Sequence, residues 1–295
     1  MYAGFVNVGA NQSRYISSEI TVASTRMSDA DLHNHELKLG RATEHLALLD
    51  EQIDDWMYGA YHYVAELDPQ SGKKHVTVKM LSPPPVALRL LIGDCLHNFR
   101  SALDNLAYEL AVAHHGGGLP EPYFKRSAFP IFNKPMKSGE RKKKIGCVHP
   151  KAQRIIEGLQ PYQHPTTYWL DPLWQLNELN NGDKHRLPNI VQVATHAGAY
   201  FPDSPTRPQD LEVHMGPITD GRRVATYTPA PNEPPDEIHT EFLFHANLQF
   251  AHNTYMLDAA VSRTLHKIHS HIRDDVFPPL VPYLPDPEWF NSVVQ

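Results

Sequence analysis

The sequence is poor in cysteine, in long apolar runs and in net positive charge, and each shortage excludes a class of protein. Two cysteines, Cys95 and Cys147, cannot build a disulfide framework and suit a reducing compartment. No apolar run approaches the roughly 20 residues that a membrane-spanning helix needs. The N-terminus also lacks the basic-then-apolar order of a secretory signal. The expectation is therefore a cytoplasmic protein with no membrane partner. A net charge of −6 argues against a broad, charge-driven grip on nucleic acid. The chain has no Gly-x-x-x-x-Gly-Lys-Ser/Thr phosphate loop, no Gly-x-Ser-x-Gly elbow and no Cys-x-x-Cys pair. No cofactor is implied.

What is present is enough for a core. Hydrophobic residues make up 41% of the 295, with 13 Tyr, 11 Phe and 4 Trp, which suits one large domain or two small ones. The 26 prolines, well above the roughly 5% usual, gather in connectors such as Pro202–Pro208, Pro229–Pro235 and Pro278–Pro287. Residues 1–30 are polar without a sustained period and read as a disordered tail, in which Met27 offers a second start. Residues 31–295 read as a single α+β domain.

Helical spacing of Leu39, Ala42, Leu46, Leu49, Ile53 and Met57 predicts an amphipathic helix over about 37–58. Alternating residues in 61–67 and 76–80, with Asp68-Pro69-Gln70-Ser71-Gly72 between them, predict a β-hairpin. Pro83-Pro84-Pro85 opens a long helix over about 86–114, which Gly116-Gly117-Gly118 closes. The segment Lys134–Lys144 holds Lys134, Lys137, Arg141, Lys142, Lys143 and Lys144 against Glu140, and reads as an exposed basic loop. Shorter helices follow near 151–158 and 170–181, the second with Gly182 placed as its C-terminal cap. Residues 189–250 read as β-structure, its clearest strand at Ile238–Phe250, with Gln249 on the polar face. A last helix spans about 254–275. The fold class is α+β: a helical core with a hairpin and a mainly antiparallel sheet.

Two polar clusters carry the candidate chemistry. On the long helix, Ile92, Cys95, Leu96, Phe99, Leu103 and Leu106 form one face, which makes Cys95 an inert buried thiol. Asp94, His97, Ser101, Asp104 and Tyr108 form the other, flanked by Arg100 and Asn105. This face carries no lysine or glutamate before Glu109, unlike an ordinary solvent face, so it fits contact with protein or ligand. The alternative is a satisfied hydrogen-bond network. The second cluster, Asp183, Lys184, His185 and Arg186, falls just past a predicted helix end, where a loop would aim it. No metal site is expected. His33/His35 and His114/His115 sit at predicted element ends without a carboxylate at ligand spacing, and His266/His269 fit a solvated helix face.

Gly93-Asp94-Cys95-Leu96-His97-Asn98-Phe99-Arg100-Ser101-Ala102-Leu103-Asp104-Asn105 and Asn180-Asn181-Gly182-Asp183-Lys184-His185-Arg186 resemble an uncharacterised bacterial protein family with GDxxHNxRSALD and NNxDKHR-type motifs. Arg100-Ser101 also resembles, distantly, the Arg-polar motif of helical HEPN ribonucleases and toxins, whose histidine is here replaced by Asn105. That resemblance implies metal-independent RNA cleavage or RNA binding at a homodimer interface formed by the helix 86–114. Arg100 would stabilise the phosphorane, His97 or His185 would act as base, and Asp94, Ser101, Asp104, Asn105, Asp183, Lys184 and Arg186 would bind. The competing expectation is a non-catalytic protein that uses the same helix face for a ligand or for oligomerisation.

Overall fold

The computed structural model describes residues 33–120, 128–185, 190–199, 210–214, 216–229, 231, 234, 242–250 and 260–287. For 58, 183–185, 190–199, 216–218 and 242–247 it describes the backbone alone. The tail 1–30, Met27, Arg186, Ile238 and Leu257 lie outside the described residues. The α+β class is borne out. Contacts divide the chain into two compact units: Gln52–Pro85 with Ile190–Ala251, and Ser24–Glu51 with Val86–Asn189 and His252–Gln295.

The first unit holds the strands. β1 (Tyr61–Leu67) and β2 (Lys74–Met80) form the expected hairpin. The Asp68 carboxylate accepts from Gln70 N–H at 3.0 Å and from Ser71 Oγ at 2.5 Å, and Gly72 takes φ +68°. Those bonds fix the turn, and with it the pairing register. A four-stranded antiparallel sheet runs in the order β1-β2-β6-β4, with β4 at Glu212–Val213 and β6 at Arg223–Tyr227. A three-stranded antiparallel sheet runs β5-β3-β7, from Gly216–Ile218, Ile190–Ala199 and Phe242–Phe250. Val76, Val78, Val224, Ala225 and Tyr227 are buried, as β-branched and aromatic residues on a covered face should be. Gln249 is buried too, not on a solvated face as its alternation with Leu248 and Phe250 suggests. Both sides of that strand end are covered.

The second unit is helical, and α2 (Val86–His115) is its spine. Leu88, Ile92, Cys95, Leu96, Phe99, Leu103 and Leu106 are all buried, which confirms the apolar face. It packs against α5 (Pro172–His185) and α6 (Val261–His271). α2 ends where Gly116 and Gly117 take φ +68° and +126°, with Gly117 N–H bonding back to Val112 C=O at 3.2 Å. α1 (Asn34–Gly59) contributes Leu39, Ala42, Leu46 and Leu49 to this core.

Three expectations are corrected. The second half of the basic segment is not a loop but a helix, α3 (Ser138–Ile145). Glu140 reaches back to Lys137 N–H at 3.2 Å, and Arg141 pairs with Glu157 at 2.7 Å. Capping and one ion pair thus hold a helix that buries only Ile145. α4 (Pro150–Gly158) lies where expected. α5 continues past Gly182 to His185, so Asp183, Lys184 and His185 occupy its last turn instead of a loop. A glycine costs a helix only about 1 kcal/mol, and buried Leu173, Trp174 and Leu176 outweigh that. α6 begins at Val261, because Ala260 is extended at φ −61°, ψ 131°, and it passes into a π turn over Ile272–Val276.

Candidate functional site

The polar stripe of α2 divides into an accessible part and an engaged part. Asp94 and His97 are exposed; Ser101, Asn105 and Tyr108 are half-buried. His97 Nε2 faces Ser101 Oγ at 3.4 Å across one helical turn. The other two, Arg100 and Asp104, form a staple. Arg100 donates from Nε to Asp104 Oδ2 at 3.2 Å and from Nη2 to Oδ1 at 2.7 Å. Nη2 also donates to the Phe129 carbonyl at 2.7 Å, while Phe129 N–H donates to Asp104 Oδ1 at 2.9 Å. The staple therefore satisfies both backbone groups of a residue in no helix or strand, whose phenyl ring is buried.

Gln160 repeats the device a few residues on. Its amide, fully buried, donates to the carbonyls of Pro130 and Ile156 at 2.9 and 3.0 Å and accepts from Phe132 N–H at 3.0 Å. Together the three side chains clamp 129–132 onto α2 and the end of α4. Arg100 and Asp104 are thus brought together by the structure, and both engage the Phe129 backbone. The backbone of Asp183–His185 lies in α5 with no side chain described, and Arg186 lies outside the described residues, so the second cluster carries no geometry. Cys95 is an inert thiol, as expected: burial, reinforced by Asp94 and Asp50, pushes it up to about 12.

A concave site lies elsewhere in the same unit. The end of α2, the start of α4 and the turn Val281–Tyr283 flank a shallow, wide-open cleft of about 820 Å³, lined by Ala113, His114, Gly116, His149, Lys151 and residues 282–286. His149 stacks on Tyr283, with ring centroids 5.2 Å apart and planes at 23°, and His114 meets His149 edge-on at 5.7 Å. His149 is also the N-cap of α4, its Nδ1 accepting from Lys151 N–H at 3.2 Å. That bond places the ring proton of a neutral imidazole on Nε2. Desolvation, then His115 and His149, lower His114 from its ordinary value. Two imidazoles, a phenol ring, the Lys151 ammonium and the Asp286 carboxylate share one opening. The sequence reading missed this cleft because its three walls are distant in the chain.

It also missed a carboxylate. His33, His35 and Glu109 converge at 7%, 1% and 0% exposure. One ligand atom from each lies within 4.8 Å of the others, the one such group among the described residues that could hold a metal ion. Glu109 is thus the partner the two histidines lack in the sequence reading. The signal was legible: Glu109 follows Cys95 and Ala102 at seven-residue spacing, on the apolar face of α2. His269, expected on a solvated face, is buried as well; it lies 2.9 Å from Thr43 Oγ1 and tilts against Phe99.

No helix among the described residues is long and apolar enough to cross a membrane. No protein-family model, curated protein or solved structure matches this chain.

Proposed function

We propose that this chain is a non-catalytic binding protein, and that the cleft between α2, α4 and the C-terminal turn takes a small molecule with a flat ring and an acidic group. The observation that carries the non-catalytic reading is the state of Arg100. Its guanidinium is engaged by Asp104 and the Phe129 carbonyl, so the cation needed to stabilise a phosphorane is held within the protein. Releasing it would strand a carboxylate and a backbone carbonyl, at about 1–3 kcal/mol for each unsatisfied group. Metal-independent RNA cleavage is the weaker reading on that ground.

The cleft has the size and chemistry of a ligand site. About 820 Å³ falls within the roughly 300–1,000 Å³ usual for small-molecule pockets. The His149–Tyr283 stack offers a flat surface for a ring. Lys151 and the positive end of α4 favour an anion beside it. The test is thermal unfolding of the full chain with an aromatic carboxylic acid and with a nucleoside monophosphate. Binding at 100 times Kd adds about 2.7 kcal/mol of stability. The expected result is a raised midpoint with at least one of them, lost in Lys151→Ala and in Tyr283→Ala. No shift with either probe, or a shift that both variants keep, refutes the cleft as the binding site.

A further inference from the structure

We infer that His33, His35 and Glu109 form a buried three-ligand site for a first-row divalent transition ion, with zinc the foremost candidate. The site goes beyond the ligand-binding reading and does not depend on it. Three observations lead there.

The first is the donor set. Two imidazoles and one carboxylate make an N₂O set of the kind that binds Zn²⁺ and its neighbours at about 2.0–2.2 Å. Three atoms within 4.8 Å of one another close onto one such ion with small side-chain shifts. His33 Nδ1 lies 3.6 Å from Glu109 Oε2, close to the ~3.4 Å edge of a tetrahedron with those bond lengths. His35 Nδ1 hydrogen-bonds the same oxygen directly, so this pair parts to admit the ion.

The second is burial. Glu109 is fully buried in the run Leu106–Val112 of α2, where an ionised carboxylate is costly unless charge compensates it. A divalent ion bound by the three side chains compensates the buried carboxylate directly. Phe277 flanks the site, its ring edge-on to His35 at 4.6 Å.

The third is preorganisation. The His33 backbone is fixed as the lead-in to α1: its N–H donates to Glu36 Oε2 at 2.8 Å, and its carbonyl accepts from Glu36 and Leu37 N–H at 3.0 and 3.1 Å. The two rings then stack at 5.2 Å and 28°, both turned toward α2. On the other side, His35 N–H donates to Glu109 Oε1 at 3.3 Å, which orients the carboxylate. Partners of this kind hold metal ligands in position and typically change affinity by about 10–100-fold. The ion would join the first turn of α1 to the C-terminal third of α2, with its fourth position open to water.

The deciding experiment is Co²⁺ titration of EDTA-treated full chain, read by visible d–d absorption and by metal content after gel filtration. The expected result is one Co²⁺ per chain with ligand-field bands, displaced by Zn²⁺ and bound about ten-fold or more weakly by His33→Ala. His33→Ala leaves the α2 core intact; Glu109→Gln serves as the second variant where it folds. His62→Ala, at an exposed histidine of β1, should bind as wild type does and so controls for uptake by a surface histidine. A folded chain that takes up no ion, or an ion that His33→Ala holds as tightly as wild type, overturns the inference.

Discussion

Arg100 shows how one residue reads differently from the sequence and from the fold. The helical wheel places it beside a polar stripe, and its neighbours resemble a catalytic motif. What the wheel cannot show is Phe129, which arrives from a segment without helix or strand and claims the same guanidinium. Charge-assisted hydrogen bonds are worth about 1.5–3 kcal/mol each. Arg100→Ala should therefore destabilise the chain by about 2 kcal/mol in urea unfolding, and Asp104→Ala should add little on top of it. Additive losses would show that the staple is not a unit. His269 supplies a pH test. Thr43 Oγ1 donates to Leu39 C=O at 3.0 Å, so His269 Nε2–H must donate to Thr43. Desolvation, then Arg273 and His266, hold His269 below its ordinary value near 6.5, against an opposing pull from Asp274. Below that value the unfolded chain takes up a proton that the folded chain resists. Stability contributed by neutral His269 is thus present above about pH 6.5 and is lost as pH falls toward the lowered value. His269→Gln keeps a donor and cannot titrate, so its melting midpoint should fall less than wild type's between about pH 7 and pH 5.

At the scale of elements, periodicity was the reliable signal where an element buries a face. α1, the β1–β2 hairpin, α2 and α4 all lie within a few residues of where apolar spacing puts them. α3 was illegible for the converse reason: it buries only Ile145, and its helix is held by Glu140 and Arg141, whose partners no hydrophobic pattern reveals. Gly182 misled because glycine marks helix ends only when the backbone turns left-handed. Gly116 and Gly117 do this after α2; Gly182 stays inside α5. The two cases predict opposite substitutions. A Cβ at Gly182 would meet nothing within 4 Å, so Gly182→Ala should stabilise by about 0.5–1 kcal/mol. Gly117→Ala should destabilise by about 1–3 kcal/mol, since φ +126° is closed to a side chain. Opposite-sign shifts in urea midpoint at constant slope, the loss the larger, are the expected result; two shifts of the same sign would contradict this reading of the helix ends.

For the molecule as a whole, fold class was legible and the sites were only partly so. Each site is assembled from segments far apart in sequence: the cleft from three, the His33–His35–Glu109 cluster from two, with Phe277 a third. Composition excluded classes of protein without identifying a ligand, and the motif resemblance pointed at a cation that Asp104 and the Phe129 carbonyl already engage. The central claim is that α2 is a scaffold carrying binding sites and not the blade of a ribonuclease. Incubation of mixed-sequence RNA with the purified full chain in EDTA, alongside Arg100→Ala, tests it most directly. The account predicts intact RNA with both proteins, together with the lower stability of the variant. RNA cleaved by wild type and spared by a folded Arg100→Ala would contradict it, and would return Arg100 to an active site.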